Sequence, residues 1–338
     1  MENQIRCTNM LFLVSQPLAT SLISSIQNRL DAFRTQSRVQ AGSLIISVFS
    51  DAVFPRGGRI GLGSLIKLLA PLQLNERLIR TAVFRLVKDE WLCTEAHGRR
   101  SDYILTPSGQ SRIEEASRHV YAANAPQWDR RWRLILVLRE LEPKQRECLR
   151  RALFWQGFGA LGLDTYVHPS ADLALAFDTL TKEGHADLLK HLMPMLAADL
   201  NLGVSGSIVD MVQQAWNQNQ LSADYDRFVT TYQPTLDFLR STTAANMDDE
   251  SAFLLRTLLI QDYRRLRLRD PELPDVLLPV DWPGQQARLL CKELYRRLLT
   301  PSERHLDLHL QLSNGATPEV LPLLGERFQN SDPLGLLV

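Results

Sequence analysis

The sequence lacks the marks of a metal-bound, disulfide-stapled or membrane-spanning chain. Its four cysteines, Cys7, Cys93, Cys148 and Cys291, stand far apart and form neither a CxxC nor a CxH pair. That spacing argues against a zinc ribbon and against a disulfide framework, and it suits a reducing cytoplasm. No apolar run approaches the roughly 20 residues that would span a bilayer. Met10 to Val14 is apolar, but its flanks are polar and no small-residue cleavage site follows. Net charge is missing too: 38 Lys+Arg balance 38 Asp+Glu, so any nucleic-acid surface must be a local patch. Neither GxSxG nor HExxH occurs, and no Cys/His pair stands at motif spacing, so no catalytic residue, metal or cofactor is expected.

What is present is an ordinary globular composition, 45% hydrophobic and 22% charged, over 338 residues. That length exceeds what one core usually supports and predicts two or three domains. Residues 1–38 read as a weakly specified leader, helical from Leu22 to Phe33. The periodicity then predicts a unit of short helices and strands over 39–124, a small α/β unit over 125–198, a helical unit over 199–310 and a tail over 311–338.

In the first of these, Leu44 to Val53 is a helical apolar segment stopped by Pro55, Gly57 and Gly58. Leu62 to Ala70 is a second helix with Leu62, Leu65, Ile66 and Leu69 on one face, closed by Pro71. A third runs from the N-cap residue Asn75 to about Asp89. Two β-prone runs, Trp91 to Thr94 and Tyr103 to Leu105, flank the turn from Ala96 to Ser101, and Thr106-Pro107 opens another helix reaching Tyr121. Three helices and a hairpin in this order make a winged helix-turn-helix.

The third helix divides cleanly at 100° per residue. Leu78, Ile79, Ala82, Val83, Leu86 and Val87 fill one side; Arg77, Arg80, Thr81, Phe84, Arg85 and Lys88 fill the other. A merely solvated face would interleave acids with its cations, and this one does not. Phe84 on that face would meet water unfavourably but a thymine methyl favourably. The turn adds Arg99 and Arg100, placed to reach phosphate or the minor groove. Between Arg56 and Arg100, Arg59 and Lys67 included, nine cations face four carboxylates. These features predict a helix that enters the major groove, with Arg59, Arg99 and Arg100 assisting.

Further on, Trp132 to Leu138 reads as a strand buried on both faces. A helix from Lys144 to Trp155 stops at Gly157; Leu163 to Val167 is a second strand, and Ser170 caps a helix ending at Glu183. From Asn201 to Thr300 nearly everything is helical, best at Ser251 to Leu268 and Gln285 to Leu299. Gly57 to Gly63 lacks GK[ST] and follows a helix, so it reads as a flexible inter-helix turn, not a phosphate loop. His305, Asp307 and His309 would share a face only if extended and are not taken as a metal site.

Several motifs together resemble one family. Gly42 to Ile46, Gly63-Ser64-Leu65, Asn75-Glu76-Arg77 and Arg80 to Leu86 resemble the PaaX-type repressors of phenylacetate degradation. Gly98 to Ser101 with Tyr103 resembles their wing, Trp155 to Gly159 a motif of their middle domain, and Asp262 to Arg265, Arg269-Asp270-Pro271, Leu273-Pro274, Leu278-Pro279, Trp282-Pro283-Gly284 and Ala287-Arg288 their C-terminal signature. The matches run in order from about residue 40 to 300 and leave the leader and tail uncovered. The resemblance implies an α+β multidomain protein with a ferredoxin-like, Cas2-like middle domain, acting as a homodimeric repressor released from operator DNA by phenylacetyl-CoA. The expected third strand of that middle domain is faint, since His185 to Met195 has a mixed pattern. No nuclease activity is carried over, because no carboxylate pair marks Trp132 to Leu138.

An acyl-CoA effector needs cations for its phosphates and an apolar slot for its acyl group. Arg264, Arg265, Arg267 and Arg269 cluster before Pro271, and Trp155, Phe158, Tyr263 and Trp282 supply aromatic surface. Tyr263 and Trp282 equally suit a core. A dimer follows independently, because one recognition helix reads few base pairs and a two-fold protein matches a palindromic site. The alternatives are a regulator of another aromatic or acyl-CoA pathway, an acyl-CoA-pathway enzyme, and an architectural DNA binder.

Overall fold

The computed structural model describes residues 26–35, 40–98, 100–198, 207–241, 247–321 and 327–328. In chain order the elements are α1 (26–34), α2 (Ala41–Val48), β1 (Arg59–Gly61), α3 (Leu62–Leu69), α4 (Glu76–Lys88), β2 (Leu92–His97), β3 (Arg100–Leu105) and α5 (Pro107–Val120). They continue with β4 (Trp132–Val137), α6 (Pro143–Trp155), β5 (Gly159–Ala160), β6 (Thr165–His168), α7 (Leu173–Lys182) and β7 (Leu192–Ala197). The last are α8 (Ile208–Trp216), α9 (Asn219–Ser241), α10 (Asp249–Arg267) and α11 (Pro283–His309). Two compact units result. The first takes in the described residues up to Ala123, Asp226–Leu268 and those from Gln286 on; the second is Asn124–Tyr225 with Arg269–Gln285.

In the first unit, α1 buries Ile26, Leu30 and Phe33, one stripe at helical spacing. Part of the weakly specified leader is therefore a packed helix; Leu22 lies outside the described residues. Its Arg29 bonds Asp262 and Tyr232. α2 runs straight into a π-helical turn, Phe49–Val53, and a 3-10 turn, Phe54–Arg56. The chain reverses at Gly57, whose φ of +83° suits a residue without Cβ. The stretch from Gly57 to Gly63, expected as a flexible turn, holds β1, and Ile60 there is fully buried. β1 earns its place by pairing with β3, giving an antiparallel sheet of order β1-β3-β2.

The core of this unit is centred on an ionic cluster. The π-turn carries Asp51 inward, where it accepts hydrogen bonds from Tyr121 (2.7 Å), Tyr295 (3.0 Å), Arg256 (2.7 Å) and Arg327 (2.7 Å). Arg256 also pairs with Glu303, and buried Arg56 meets Glu303 (2.6 Å) and Asp307 (2.8 Å). Burial alone would raise the Asp51 carboxyl, but the Arg256 and Arg327 guanidiniums and the two phenols hold it below the ordinary carboxylate range. Burial beside that charge pushes Tyr295 up to about 12.

The second unit is a four-stranded antiparallel sheet of order β5-β6-β4-β7. With α6 after β4 and α7 after β6, this is the βαββαβ order of a ferredoxin-like fold, as the resemblance implied. β4 is covered on both faces: Ile135 and Val137 join the core under α6 and α7, while Trp132 and Leu134 pack with Val212 of α8, Leu273 and Leu277. The fourth strand, β7, follows a 3-10 segment, Ala186–His191, within the stretch that looked mixed. Two local expectations shift. β6 begins at Thr165, and Asp172, not Ser170, caps α7 by accepting from Ala174 N (2.9 Å) and Leu175 N (3.1 Å). α11 also continues past Pro301 to His309, since Leu298, Ser302 and Leu306 keep one side buried.

Candidate nucleic-acid interface

α4 starts where Asn75 accepts a hydrogen bond from Leu78 N (2.7 Å), satisfying one of the helix's free amides. Ile79, Ala82, Val83 and Leu86 are buried, the spacing that lays one side of α4 against its own unit. Leu78 and Val87, expected on the same side, end at its margins: Leu78 is exposed and Val87 half-buried. The opposite face carries Arg77, Arg80, Thr81, Phe84, Arg85 and Lys88, all exposed, with Phe84 at 70%. These six are brought together on one helix face. Arg80 pairs with Glu76 one turn back (2.6 Å), and Thr81 Oγ1 donates to Arg77 O (2.8 Å). Among the described residues, the side chains of Arg77, Arg85 and Lys88 form no ion pair or hydrogen bond. Three cations are thus left for an external partner.

Beside this helix stands the wing. β2 and β3 pair from Leu92↔Leu105 to His97↔Arg100, leaving a two-residue tip whose Gly98 has φ +63°. Both strands outrun the expected runs by several residues. Arg100 donates to Ser313 O (3.3 Å), Arg59 of β1 is paired with Glu95, and Arg99 lies outside the described residues. His97 Nε2 is 3.5 Å from buried Asp102.

The tail was given no role from sequence, yet it completes this unit. Gly61 N donates to Gln311 O (2.9 Å), Gln311 N to Ser64 Oγ (3.0 Å), Ser313 N to Asp102 Oδ1 (2.6 Å) and Leu321 N to Pro55 O (2.6 Å). Gly61 permits the approach, because a Cβ there would sit 3.0 Å from Gln311 O. The one signal available in advance was that glycine.

The residues predicted to hold an effector divide between the units. In the second, Trp155 is 73% exposed at the end of α6, Phe158 is buried against His168 with ring centroids 5.2 Å apart, Trp282 packs on Tyr225, and Arg269 pairs with Asp224 (2.9 Å). In the first, Tyr263 is buried 5.5 Å from Phe228, and α10 carries Arg264 and Arg265. Phe158, Tyr263 and Trp282 are thus core residues. Arg267 Nε donates to His119 O (3.1 Å). His305 and His309 are one helical turn apart with rings 4.5 Å from each other, and Asp307 turns away to Arg56. Among the described residues no three potential ligands come together for a metal, and no helix is long and apolar enough to cross a membrane.

An exposed third helix, a two-stranded wing and a separate βαββαβ sheet define a winged helix-turn-helix protein with a ferredoxin-like second fold. Three family profiles match in order: PaaX-like protein over residues 40–109, PaaX protein central Cas2-like domain over 125–193, and PaaX-like protein C-terminal domain over 216–308. The chain is 35% identical over 291 residues to the transcriptional repressor PaaX of Escherichia coli (strain K12), covering 86% of this chain and 90% of that protein. In fold it is similar to the solved uncharacterized protein Rv0674 from Mycobacterium tuberculosis, at 21% identity and a TM-score of 0.51 over 78% of this chain and 97% of that one. The chain belongs to the PaaX family of transcriptional repressors, a family of regulators and not of enzymes.

Proposed function

We propose that this protein is a cytoplasmic, homodimeric repressor of phenylacetate-degradation genes that binds double-stranded operator DNA through α4 and its wing, and is released by phenylacetyl-CoA or a related aryl-CoA. The observation that carries the DNA-reading part is the exposed face of α4, where Arg77, Arg85 and Lys88 are without acidic partners and Phe84 is apolar and open. Arginine can read a guanine edge bidentately and Phe84 can meet a thymine methyl. Arg59, Arg99 and Arg100 are assigned to backbone phosphate, where they add salt-dependent affinity without specificity. Two copies would present two such helices to half-sites about one helical turn apart. The effector part is supported by the kinship to the PaaX repressor. A gel-shift titration on the promoter region of the protein's own gene tests both parts. The wild type should shift that DNA, Arg85→Ala should need markedly more protein for the same shift, and phenylacetyl-CoA should abolish the wild-type shift. Unchanged binding by Arg85→Ala would sink the α4 assignment, and release by other aryl-CoA thioesters alone would reassign the effector.

A further inference from the structure

Four buried arginines of the first unit are paired with carboxylates. Arg29, Arg56, Arg256 and Arg327 each meet a carboxylate: Asp262, Glu303, Asp51 and Asp51 respectively. Arg264 of α10 is also buried, with only 9% of its surface exposed, and it meets none. Its Nε is enclosed without an acceptor, and among the described residues its guanidinium makes no ion pair or hydrogen bond. Arg267, one turn on, reaches the carbonyl of His119 at the end of α5. Tyr121, just beyond α5, is near enough to act on Arg264 electrostatically, but its hydroxyl is committed to Asp51. On α5 itself, Ser117 Oγ is a second enclosed polar atom with no partner.

A desolvated guanidinium without a counter-charge is strongly unfavourable, and burial draws the Arg264 pKa below that of an ordinary arginine. Arg56 also leaves Nε and Nη1 without an acceptor, but its Nη2 meets Glu303 and Asp307, whereas Arg264 meets no carboxylate among the described residues. A buried donor without a partner calls for an explanation, and an absent anion is one. The group must be anionic and must accept in a plane, as phosphate oxygens do.

We propose that Arg264 is the anion-recognition residue of the effector site and takes a phosphate group of the acyl-CoA. The identity of the ligand rests on the effector reading above; the anion site itself rests on Arg264. The site would be preorganised and held in a costly vacant state, so that the ligand's phosphate relieves an existing penalty. Relief of that penalty gives the ligand differential affinity for one arrangement of α5 and α10, which a release mechanism requires.

The test uses the full chain and variants Arg264→Met, Arg264→Gln and Arg264→Lys, with free coenzyme A, phenylacetyl-CoA and phenylacetate as probes. Thermal unfolding should show wild type stabilised by coenzyme A and by phenylacetyl-CoA, not by phenylacetate. The Met and Gln variants should lose that shift and the Lys variant keep part of it. Without ligand, Arg264→Met should be at least as stable as wild type. In the gel shift, Arg264→Gln should bind operator like wild type but need about tenfold more phenylacetyl-CoA, or more, for half release. An equal coenzyme A shift in wild type and Arg264→Met, no shift in wild type, or an Arg264-dependent shift with phenylacetate would each overturn the proposal. A marked loss of stability in unliganded Arg264→Met would also overturn it, by showing a structural role. Coenzyme A binding through Arg264, with no acyl-CoA able to release DNA, upholds the anion site and sinks the effector reading.

Discussion

Asp51 and Arg256 lie 205 positions apart in sequence, yet Arg256 Nε donates to Asp51 Oδ2 across 2.7 Å, with both side chains almost wholly buried. The bond joins the end of the first winged-helix helix to the middle of α10. Arg327 and the phenols of Tyr121 and Tyr295 complete it, all three donating to Asp51 Oδ1, so both carboxylate oxygens are engaged. A carboxylate this well supplied is secure while intact and damaging when altered.

Asp51→Asn keeps the size of the side chain and removes the charge, leaving Arg256 and Arg327 buried over a neutral amide. Breaking a buried pair in this way costs about 3–5 kcal/mol. Urea unfolding followed by circular dichroism should show that loss. Since the folded carboxyl titrates below its unfolded value, its contribution should be complete above an ordinary aspartate's 3.8 and vanish only as pH falls further.

His168 supplies a second acid-sensitive point, this time in the ferredoxin-like unit. Its Nδ1 accepts from Ser170 N (2.9 Å) and Ala171 N (2.8 Å), and burial pulls its pKa from 6.5 to about 4. The unfolded chain therefore binds a proton that the folded one refuses. Stability should be constant above pH 6.5 and fall on acidification towards pH 4, by roughly 3 kcal/mol in all. His168→Asn, which keeps an acceptor for the two amides, should remove this slope from unfolding curves taken across that range.

On α4, Arg80 and Arg85 should not behave alike. Arg80 is engaged by Glu76, whereas Arg85 is open. Arg85→Ala should lower operator affinity by about 1–3 kcal/mol if it reads a base. Lys88→Ala, acting on phosphate, should reduce the slope of log K against log salt by about 0.9. Glu76→Gln frees Arg80 and removes a negative charge, so it should tighten binding. Fluorescence anisotropy over a salt series would separate the three.

The tail gives a prediction in which no DNA is needed. Ser313→Pro deletes the amide donated to buried Asp102, and Gly61→Ala drives a methyl towards Gln311 O. Leaving Asp102 one donor short should destabilise by about 1–3 kcal/mol. Limited proteolysis should then cut after His309 in both variants while sparing the wild type.

What the sequence revealed and what it hid follow from how each part is held. The faces of α4 were legible because its burial repeats with the helical period, from Ile79 through Leu86. The marginal positions Leu78 and Val87 were not, since angle alone does not say where a neighbouring surface ends. β7 was faint because it is an edge strand with only Leu192 buried, so Met193 to Leu196 show no alternation. Its Pro194 is tolerated there, as an edge allows. Asp172 was passed over as a cap because Ser170 is also a capping type and lies close by. The tail was invisible for another reason: it is fastened through its own main-chain atoms at Gln311, Ser313 and Leu321, and backbone donors and acceptors leave no pattern of side chains along it. The pairing of Asp51 with Arg256 and Arg327 likewise has no period, because the three residues come from three separate stretches of chain.

The Asp51 cluster also sets a timetable. Arg327 follows Asp51 by 276 positions, so at 5–20 residues per second the ribosome delivers the last partner roughly 14–55 s after the first. Until then Asp51 can have only Tyr121, Arg256 and Tyr295 as partners, so its full set of hydrogen bonds is a late event in the making of the chain.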